Sequence, residues 1–250
     1  VQDPSLIPRI IGNTLILKDW TELMSKPITE QEETYGQLRG AYDGHVSKTY
    51  ANGVTRVYPD PNGPHNDCRF SILAGVTNAI HGDNRAALGE RFIKYQMVSE
   101  DYNPVDQVMA AISNTLEQNV PEEDLTDVAS SFVDYLVDNY KEKDLPKVPD
   151  WFVKRIVGLS QLVATIRATV SRKGGELTYR PTPEVGTRLS KQLIKLAQCI
   201  AIVRGKTRVD RYCYSLVSRV AMDTCYGWHR DVLLSIIANP GVDLQRDDVA

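Results

Sequence analysis

The sequence of 250 residues is poor in the features that mark zinc-binding, secreted or membrane-spanning proteins. Its four cysteines form no Cys-x-x-Cys pair and its histidines number only four, which argues against a zinc site and favours reduced thiols. It has no apolar run near the roughly 20 residues that cross a membrane. Its first residues lack the basic and apolar pattern of a signal peptide. We therefore expect a soluble, cytoplasmic protein that does not enter a membrane.

The chain also lacks internal repeats, low-complexity segments and a strong excess of either charge. A formal net charge of −3 and an isoelectric point near 5.9 argue against a protein that coats polyanions with its whole surface. A local basic patch that binds DNA is compatible with these values. With 42% hydrophobic residues, the chain can bury the core of one large domain or two small ones.

A complete phosphate-binding loop is missing as well. Gly205-Lys-Thr207 has the last three residues of such a loop, but the glycine required five positions earlier is replaced by Ile200. The loop must also lie between a strand and a helix start, so that its backbone N–H groups face phosphates. Ile200 instead belongs to a run with helical apolar spacing. We therefore interpret Gly205 as the C-cap of a helix.

Two apolar runs, each followed by polar residues, are the most informative features that are present. Residues 14–18 predict a buried strand followed by Asp19, and residues 70–76 predict a second buried strand that leads to Thr77 and Asn78. In a parallel sheet, such side chains meet at one edge, where a carboxylate can hold Mg²⁺ and a hydroxyl or amide can contact a phosphate or water. An ordinary solvent-exposed turn is the alternative interpretation of Asp19.

A β-hairpin is predicted between these strands. The β-rich runs 45–50 and 54–58 flank an Asn52-Gly53 turn, a strong hairpin signal. Lys48 and Arg56 lie on opposite arms, and cations on a projecting hairpin can contact the phosphates of DNA. A solvated hairpin whose charges prevent edge aggregation is the alternative.

Two arginines are candidates for contact with a transferring phosphate. Arg91 lies in Gly89-Glu-Arg-Phe92, and Arg188 lies in Gly186-Thr-Arg-Leu189. A guanidinium can stabilise the charge that develops on the phosphate, whether it comes from a neighbouring subunit or from a lid. Surface ion pairs are the alternative for both residues.

The second part of the chain is predicted to be helical, after a helix over 29–38 and a short strand over 93–98 in the first part. The charged, proline-containing segment 142–149 is the expected connection between the two parts. Helices are predicted over 105–118, 122–140, 150–171, 183–204, 209–225 and 229–238.

This order of elements resembles the AAA+-like ATPases encoded by phages and integrative elements, and it is similar to mini-chromosome-maintenance and superfamily 3 helicases. The resemblance covers nearly the whole chain. It is most specific at Lys18-Asp-Trp20, Ala41-Tyr-Asp-Gly44 and Gly89-Glu-Arg-Phe92.

The resemblance implies an α/β fold class: the C-terminal part of an AAA+-type P-loop core with a β-hairpin, then an all-helical lid and the start of a winged helix. The corresponding domains are 1–102, 103–226 and 227–250. The phosphate-binding loop is expected upstream of Val1, so the chain alone is not expected to hydrolyse ATP. No glutamate directly follows Asp19, where many AAA+ enzymes carry the catalytic base; Glu22 is the nearest one after it.

The resemblance also implies ATP and Mg²⁺ as cofactors, and DNA and further copies of the chain in a ring as partners. The implied roles are Walker B acid and metal ligand for Asp19, sensor 1 for Thr77 or Asn78, arginine finger for Arg91, sensor 2 for Arg188 and DNA contact for Lys48.

These features predict a DNA-associated ATPase, a replication helicase or helicase loader of a phage or mobile element. The alternative is a DNA-binding initiator or regulatory module that uses nucleotide as a switch without turnover. A third hypothesis is a helical interaction protein whose α/β half is only a scaffold.

Overall fold

The chain folds into two compact units, residues 1–92 and residues 93–250. The fold is mixed α/β, as predicted, whereas the division into 1–102, 103–226 and 227–250 stays a prediction. The computed structural model describes residues 5–49, 53–77, 91–97, 103–117, 122–140, 145–168, 172–173, 176–177, 183, 185–225 and 228–239.

The first unit combines short strands with one long helix. Its long helix continues five residues beyond the predicted end, until Gly44 with φ +96° adopts the left-handed conformation of a C-cap. The elements are α1 (Ile7–Ile10), β1 (Thr14–Leu17), α2 (Thr21–Met24), α3 (Ile28–Asp43), β2 (Val46–Thr49), β3 (Thr55–Tyr58) and β4 (Ser71–Ala74).

The predicted apolar strands pair with each other as a parallel two-stranded sheet of β1 and β4. The prediction that both are buried is wrong, because Ile16 and Leu73 are 67% and 64% exposed. These two side chains lie opposite each other in the register and share one face of the sheet. The other face, which carries Leu15 and Ile72, is half-buried. The sheet is therefore covered on one face only within the described residues.

The predicted hairpin is confirmed, with β2 and β3 antiparallel and Lys48 opposite Arg56. Val46 and Tyr58 are buried and join Ala41 of α3 in the main apolar cluster of this unit. The backbone of α3 approaches the hairpin closely at Gly40, where a Cβ atom would lie 2.7 Å from the carbonyl oxygen of His45. This contact fixes the hairpin on α3.

The second unit consists mainly of helices. The predicted helix over 150–171 ends five residues early, and two two-residue strands lie between it and the next predicted helix. The predicted helix over 183–204 begins only at Thr187. The elements are α4 (Pro104–Glu117), α5 (Glu122–Asn139), α6 (Asp150–Ile166), β5 (Arg172–Lys173), β6 (Glu176–Leu177), α7 (Thr187–Val203), α8 (Arg211–Thr224) and α9 (Trp228–Ala238).

The short strand predicted over 93–98 is absent from its described part, residues 93–97. The backbone N–H of Lys94 donates to Thr224 Oγ1 at 3.0 Å, and that of Gln96 donates to Asp223 Oδ2 at 3.1 Å. Side chains at the end of α8 thus take the place of a partner strand.

Helices α6, α7 and α8 enclose the core of the second unit. Phe152, Leu193 and Val217, one from each helix, have no exposed surface. Of the apolar positions of α7 that recur at spacings of three and four, Leu189 and Leu193 are buried in this core and Leu196 and Ile200 pack partly buried against it, whereas Val203 is exposed. None of the helices in the described parts of the chain is both long and apolar enough to span a membrane.

The incomplete phosphate-loop motif lies at the end of α7. Gly205 has φ +63°, its N–H donates to the carbonyl of Ile202, and the N–H of Lys206 donates to the carbonyl of Ala201. These bonds satisfy the last carbonyls of the helix, so Gly205 is the predicted C-cap. Asp210 then starts α8, with its carboxylate accepting the N–H of Cys213 at 2.9 Å.

Candidate functional site

The carboxyl ends of β1 and β4 lie side by side. Leu17 pairs with Ala74, and the ladder continues because Gly75 N–H donates to Leu17 at 3.0 Å and Trp20 N–H donates to Gly75 at 2.8 Å. A Cβ atom at position 75 would lie 2.7 Å from the carbonyl oxygen of Lys18, so this approach requires glycine. Residue 19 and the residues after Gly75 therefore leave the sheet at one edge.

Asp19 leaves this edge as an exposed carboxylate. Its Oδ1 accepts the backbone N–H of Thr21 at 2.8 Å, which closes an Asx turn just before the short helix α2. The hydroxyl and the backbone N–H of Thr21 lower the pKa of Asp19 below its usual value. The carboxylate is therefore ionised at neutral pH. The turn expected as the alternative interpretation is present, and a carboxylate that accepts this bond with one oxygen keeps a second oxygen for other contacts.

The other side of the edge is described as far as Thr77, which is exposed. Asn78, the second candidate for the sensor role, lies outside the described residues. Among the residues that the structure describes, no group of three or more His, Cys, Asp or Glu could hold a metal ion. One carboxylate fits Mg²⁺ that is also bound by phosphates and water, but it does not fit a site made by protein alone.

Trp20, directly after Asp19, is the centre of an aromatic cluster. Its ring stacks on Tyr35 of α3 with a centroid distance of 6.3 Å and an interplanar angle of 2°. Phe92 meets Trp20 edge-on at 5.7 Å and 61°. Both Trp20 and Tyr35 are buried. The cluster therefore attaches the backbone beside Asp19 to α3 and to the residue after Arg91.

Arg91 is bound by the end of α3. Its Nη2 lies 2.9 Å from Oδ2 of Asp43, and its guanidinium carbon lies 5.7 Å from the centroid of the Tyr42 ring. A second arginine, Arg69, donates through Nε to the backbone carbonyl of Tyr42 at 3.2 Å. Contact between Arg91 and a neighbouring subunit would therefore require its bond to Asp43 to open.

The three motifs that carry the family resemblance thus meet in the first unit. Trp20 belongs to the first, Tyr42 and Asp43 to the second, and Arg91 and Phe92 to the third. Reasoning from the sequence had not assigned roles to the aromatic residues or to Asp43. Each of the three motifs contains an aromatic residue, and this was the signal in the sequence that could have indicated their packing.

The candidate DNA contacts lie on the hairpin face that is directed at α3. Lys48 is half-buried and forms an ion pair with Glu33, and the side chain of Arg56 lies opposite on the same face. Like charges directly opposite each other repel, and the carboxylate of Glu33 offsets that repulsion. An open cavity of about 330 Å³ lies between α3 and β2 beside this ion pair. Lys48 must leave Glu33 before its ammonium group can bind a phosphate.

Arg188 occupies the first turn of α7, in the second unit, and is half-buried. Its position at the start of a helix of the three-helix core agrees with the helical surroundings expected from the sequence. The sensor 2 role toward a nucleotide stays a prediction.

No protein-family model matches the chain, and no curated protein matches it in sequence. The site is therefore interpreted from its own residues.

Proposed function

We propose that this protein is a DNA-associated ATPase of the AAA+ type that works as a ring, as a replication helicase or helicase loader of a phage or mobile element. The observation that carries the proposal is the parallel pairing of β1 and β4 with aligned carboxyl ends. Two neighbouring strands that each lead into a polar side chain at one edge form the kind of site at which α/β proteins bind phosphates and Mg²⁺.

In this proposal, Asp19 and the nucleotide phosphates hold Mg²⁺, which neutralises charge on the phosphates. The lowered pKa of Asp19 keeps the carboxylate ionised for that purpose. Thr77 or Asn78 orients the attacking water, and Arg91 acts across a subunit interface after its release from Asp43. Arg188 reports the state of the nucleotide to the helical lid.

DNA binding is proposed for the hairpin cations Lys48 and Arg56. Lys48 is half-buried and paired with Glu33. It can therefore contact a DNA phosphate only after its ammonium group exchanges the Glu33 carboxylate for that phosphate. Binding of this kind weakens as salt rises, because it releases counterions from the phosphates. Closure of the lid would then move the hairpin along DNA.

One observation favours the nucleotide switch as a second candidate. The position after Asp19, where many AAA+ enzymes carry the catalytic glutamate, is filled by Trp20, whose buried ring packs between Tyr35 and Phe92. That position serves packing and cannot activate a water molecule. A site that binds nucleotide without turnover needs no such base.

The experiment is ATP hydrolysis, with and without DNA, by the protein extended upstream of Val1 to include the phosphate-binding loop that the resemblance implies. The test variant is Asp19→Asn, which keeps an oxygen to accept the N–H of Thr21 but loses the charge for Mg²⁺. Its matched control is Glu22→Gln in α2, which also removes one nearby negative charge.

DNA-stimulated turnover that Asp19→Asn reduces by at least about 100-fold, with Glu22→Gln close to wild type, would support the ATPase. Nucleotide binding without turnover in the wild type would support the switch. If the extended protein binds no nucleotide, both proposals are wrong and the scaffold hypothesis gains.

A further inference from the structure

The nearly neutral net charge of the chain conceals two stretches of opposite sign. Residues 100–140, which include α4 and α5, contain ten Asp and Glu and no Lys or Arg. Residues 145–239, which include α6, α7 and α8, contain sixteen Lys and Arg but only six Asp and Glu. The formal charges at pH 7 are therefore −10 and +10. Opposite charges of this size attract over about 10 Å at moderate salt.

The acidic helices also expose apolar side chains. The exposed fractions of these side chains lie between 43% and 78%. Their spacing of one, three and four residues puts them on one face of each helix, which is the pattern of a helix that packs against a partner. The residues on these faces are Val105, Val108, Met109, Ile112 and Leu116 on α4, and Leu125, Val128, Phe132 and Tyr135 on α5, whereas Val133 and Val137 of α5 are exposed outside that face.

The basic helices expose residues of the complementary composition. On α6, Lys154 and Val157 are exposed, and α7 exposes Lys191 and Lys195 one turn apart. We call these four exposed residues the basic surface. Lys154 lies one turn before the apolar Val157 on α6, and the acidic helices show the same one-turn spacing with carboxylates. On α5, for example, Asp124 lies one turn before Val128.

We propose that α4 and α5 of one copy dock on the basic surface of a second copy. Both partners of the charge pair are encoded in this chain, whereas the described residues leave the apolar faces of α4 and α5 uncovered in the single copy. Opposite charges steer the two copies together and set the orientation, and the apolar side chains contribute the burial.

The contact joins two different surfaces, so it is heterologous. Each copy gives its acidic helices to one neighbour and its basic surface to another. Such an arrangement closes into a ring when the rotation between copies permits, and otherwise grows as a filament. The inference rests on the proposed function only for its ring and adds the surfaces that would join the copies. It does not depend on nucleotide binding, so its failure and that of the ATPase are distinguishable.

Molar mass from sedimentation velocity, measured across concentration without nucleotide, tests the proposal. One variant reverses the acidic helices with Asp124→Lys and Asp138→Lys, and the other reverses the basic surface with Lys191→Glu and Lys195→Glu. All four side chains are exposed, so the fold is expected to remain. Far-ultraviolet circular dichroism checks the helix content of both variants.

We expect the wild type to associate at low salt and to dissociate as salt rises. Each variant alone should associate at least about tenfold more weakly. An equimolar mixture of the two variants should associate again, because each reversed surface then meets its complement on the other variant. The matched control is Glu30→Lys with Glu32→Lys on α3, which changes the net charge by the same amount as the first variant.

Three results would overturn the proposal. A wild type that stays monomeric at all concentrations excludes the docking and points to a different basic partner or to contact within one chain. Failure of the mixture to associate, with both variants folded, excludes this pairing of surfaces. Equal loss in the control pair would assign the effect to net charge alone.

Discussion

The two units differ in the size of their buried apolar cores. Among the described residues, twelve form the buried core of the second unit, and several have no exposed surface. The main apolar cluster of the first unit has five buried members, and its parallel sheet leaves Ile16 and Leu73 exposed. Yet the first unit contains most of the candidate site residues.

The residues expected to contribute most to stability and most of the candidate site residues therefore lie in different units. Large effects of mutation on the free energy of unfolding are expected where side chains are fully buried, in α6, α7 and α8. The first unit has a smaller buried core. Close backbone approaches, such as those at Gly40 and Gly75, and polar contacts join its elements. Residues that bind ligands commonly lie in such less stable parts of a molecule.

The largest effect is expected from Leu193→Ala in the core of the second unit. Leu193 is fully buried, so the change creates a cavity and should lower the free energy of unfolding by about 2–5 kcal/mol. Urea denaturation followed by circular dichroism measures the change. Val203→Ala on the same helix is the control, since Val203 is exposed and should change stability by less than about 0.5 kcal/mol. Equal effects would show that the core is not the source of stability.

A matched pair of glycine substitutions contrasts the units directly. Gly75→Ala places a Cβ atom 2.7 Å from the carbonyl of Lys18, so we expect the β1–β4 pairing to loosen at a cost of about 1–3 kcal/mol. Gly158→Ala lies in α6 with open space around the new atom and should stabilise by about 0.5–1 kcal/mol. Thermal unfolding of both variants gives the signs. A neutral Gly75→Ala would contradict the close approach of the two backbones.

A smaller, pH-dependent effect is expected at the start of α8. The N–H of Cys213, with the guanidinium of Arg204, lowers the pKa of Asp210 from 3.8 to about 2. Because the pKa is lower in the folded state, the carboxylate stabilises the fold above about pH 4, and this contribution is lost as pH falls toward 2.

Two variants of Asp210 test this prediction by urea denaturation across pH. Asp210→Ala should cost about 1 kcal/mol at pH 7, because the cap of α8 is lost. Asp210→Asn keeps a capping oxygen and should retain most stability at pH 7, without this part of the acid dependence. If both variants lose stability on acidification as steeply as the wild type, Asp210 is not the group responsible.

The smallest effect is expected from the ion pair of Lys48 and Glu33 in the first unit. A double-mutant cycle of Lys48→Ala and Glu33→Ala should give a coupling of about 0–1 kcal/mol, because both side chains are partly exposed. Raising the salt concentration should reduce it further. A coupling above about 2 kcal/mol would show that this ion pair contributes substantially to the stability of the first unit, contrary to this prediction.

Local signals predicted those parts of the fold that depend on near neighbours in sequence. The Asn52-Gly53 turn predicts the hairpin, and the apolar spacing of α7 predicts the face that is buried. The residues around Gly205 predict the end of a helix there, and the φ of +63° at Gly205 agrees with this prediction. In each case the responsible interactions lie within a few residues.

The errors and omissions occur where distant residues decide the structure. Residues 93–97 are not a strand, and the N–H groups of Lys94 and Gln96 bond to the side chains of Thr224 and Asp223, about 130 residues away. The pair of Arg91 and Asp43 joins residues 48 positions apart. No local periodicity encodes such contacts, and the aromatic packing around Trp20 was missed for the same reason.

The burial of Trp20 beside Asp19 also has a practical consequence for spectroscopy. The chain has three tryptophans, and the other two, Trp151 and Trp228, belong to the second unit. Replacement of those two by phenylalanine would leave a single indole, one residue from the candidate metal ligand and in contact with the residue after Arg91. The emission of that indole would follow events at the edge of the β1–β4 sheet without an added dye.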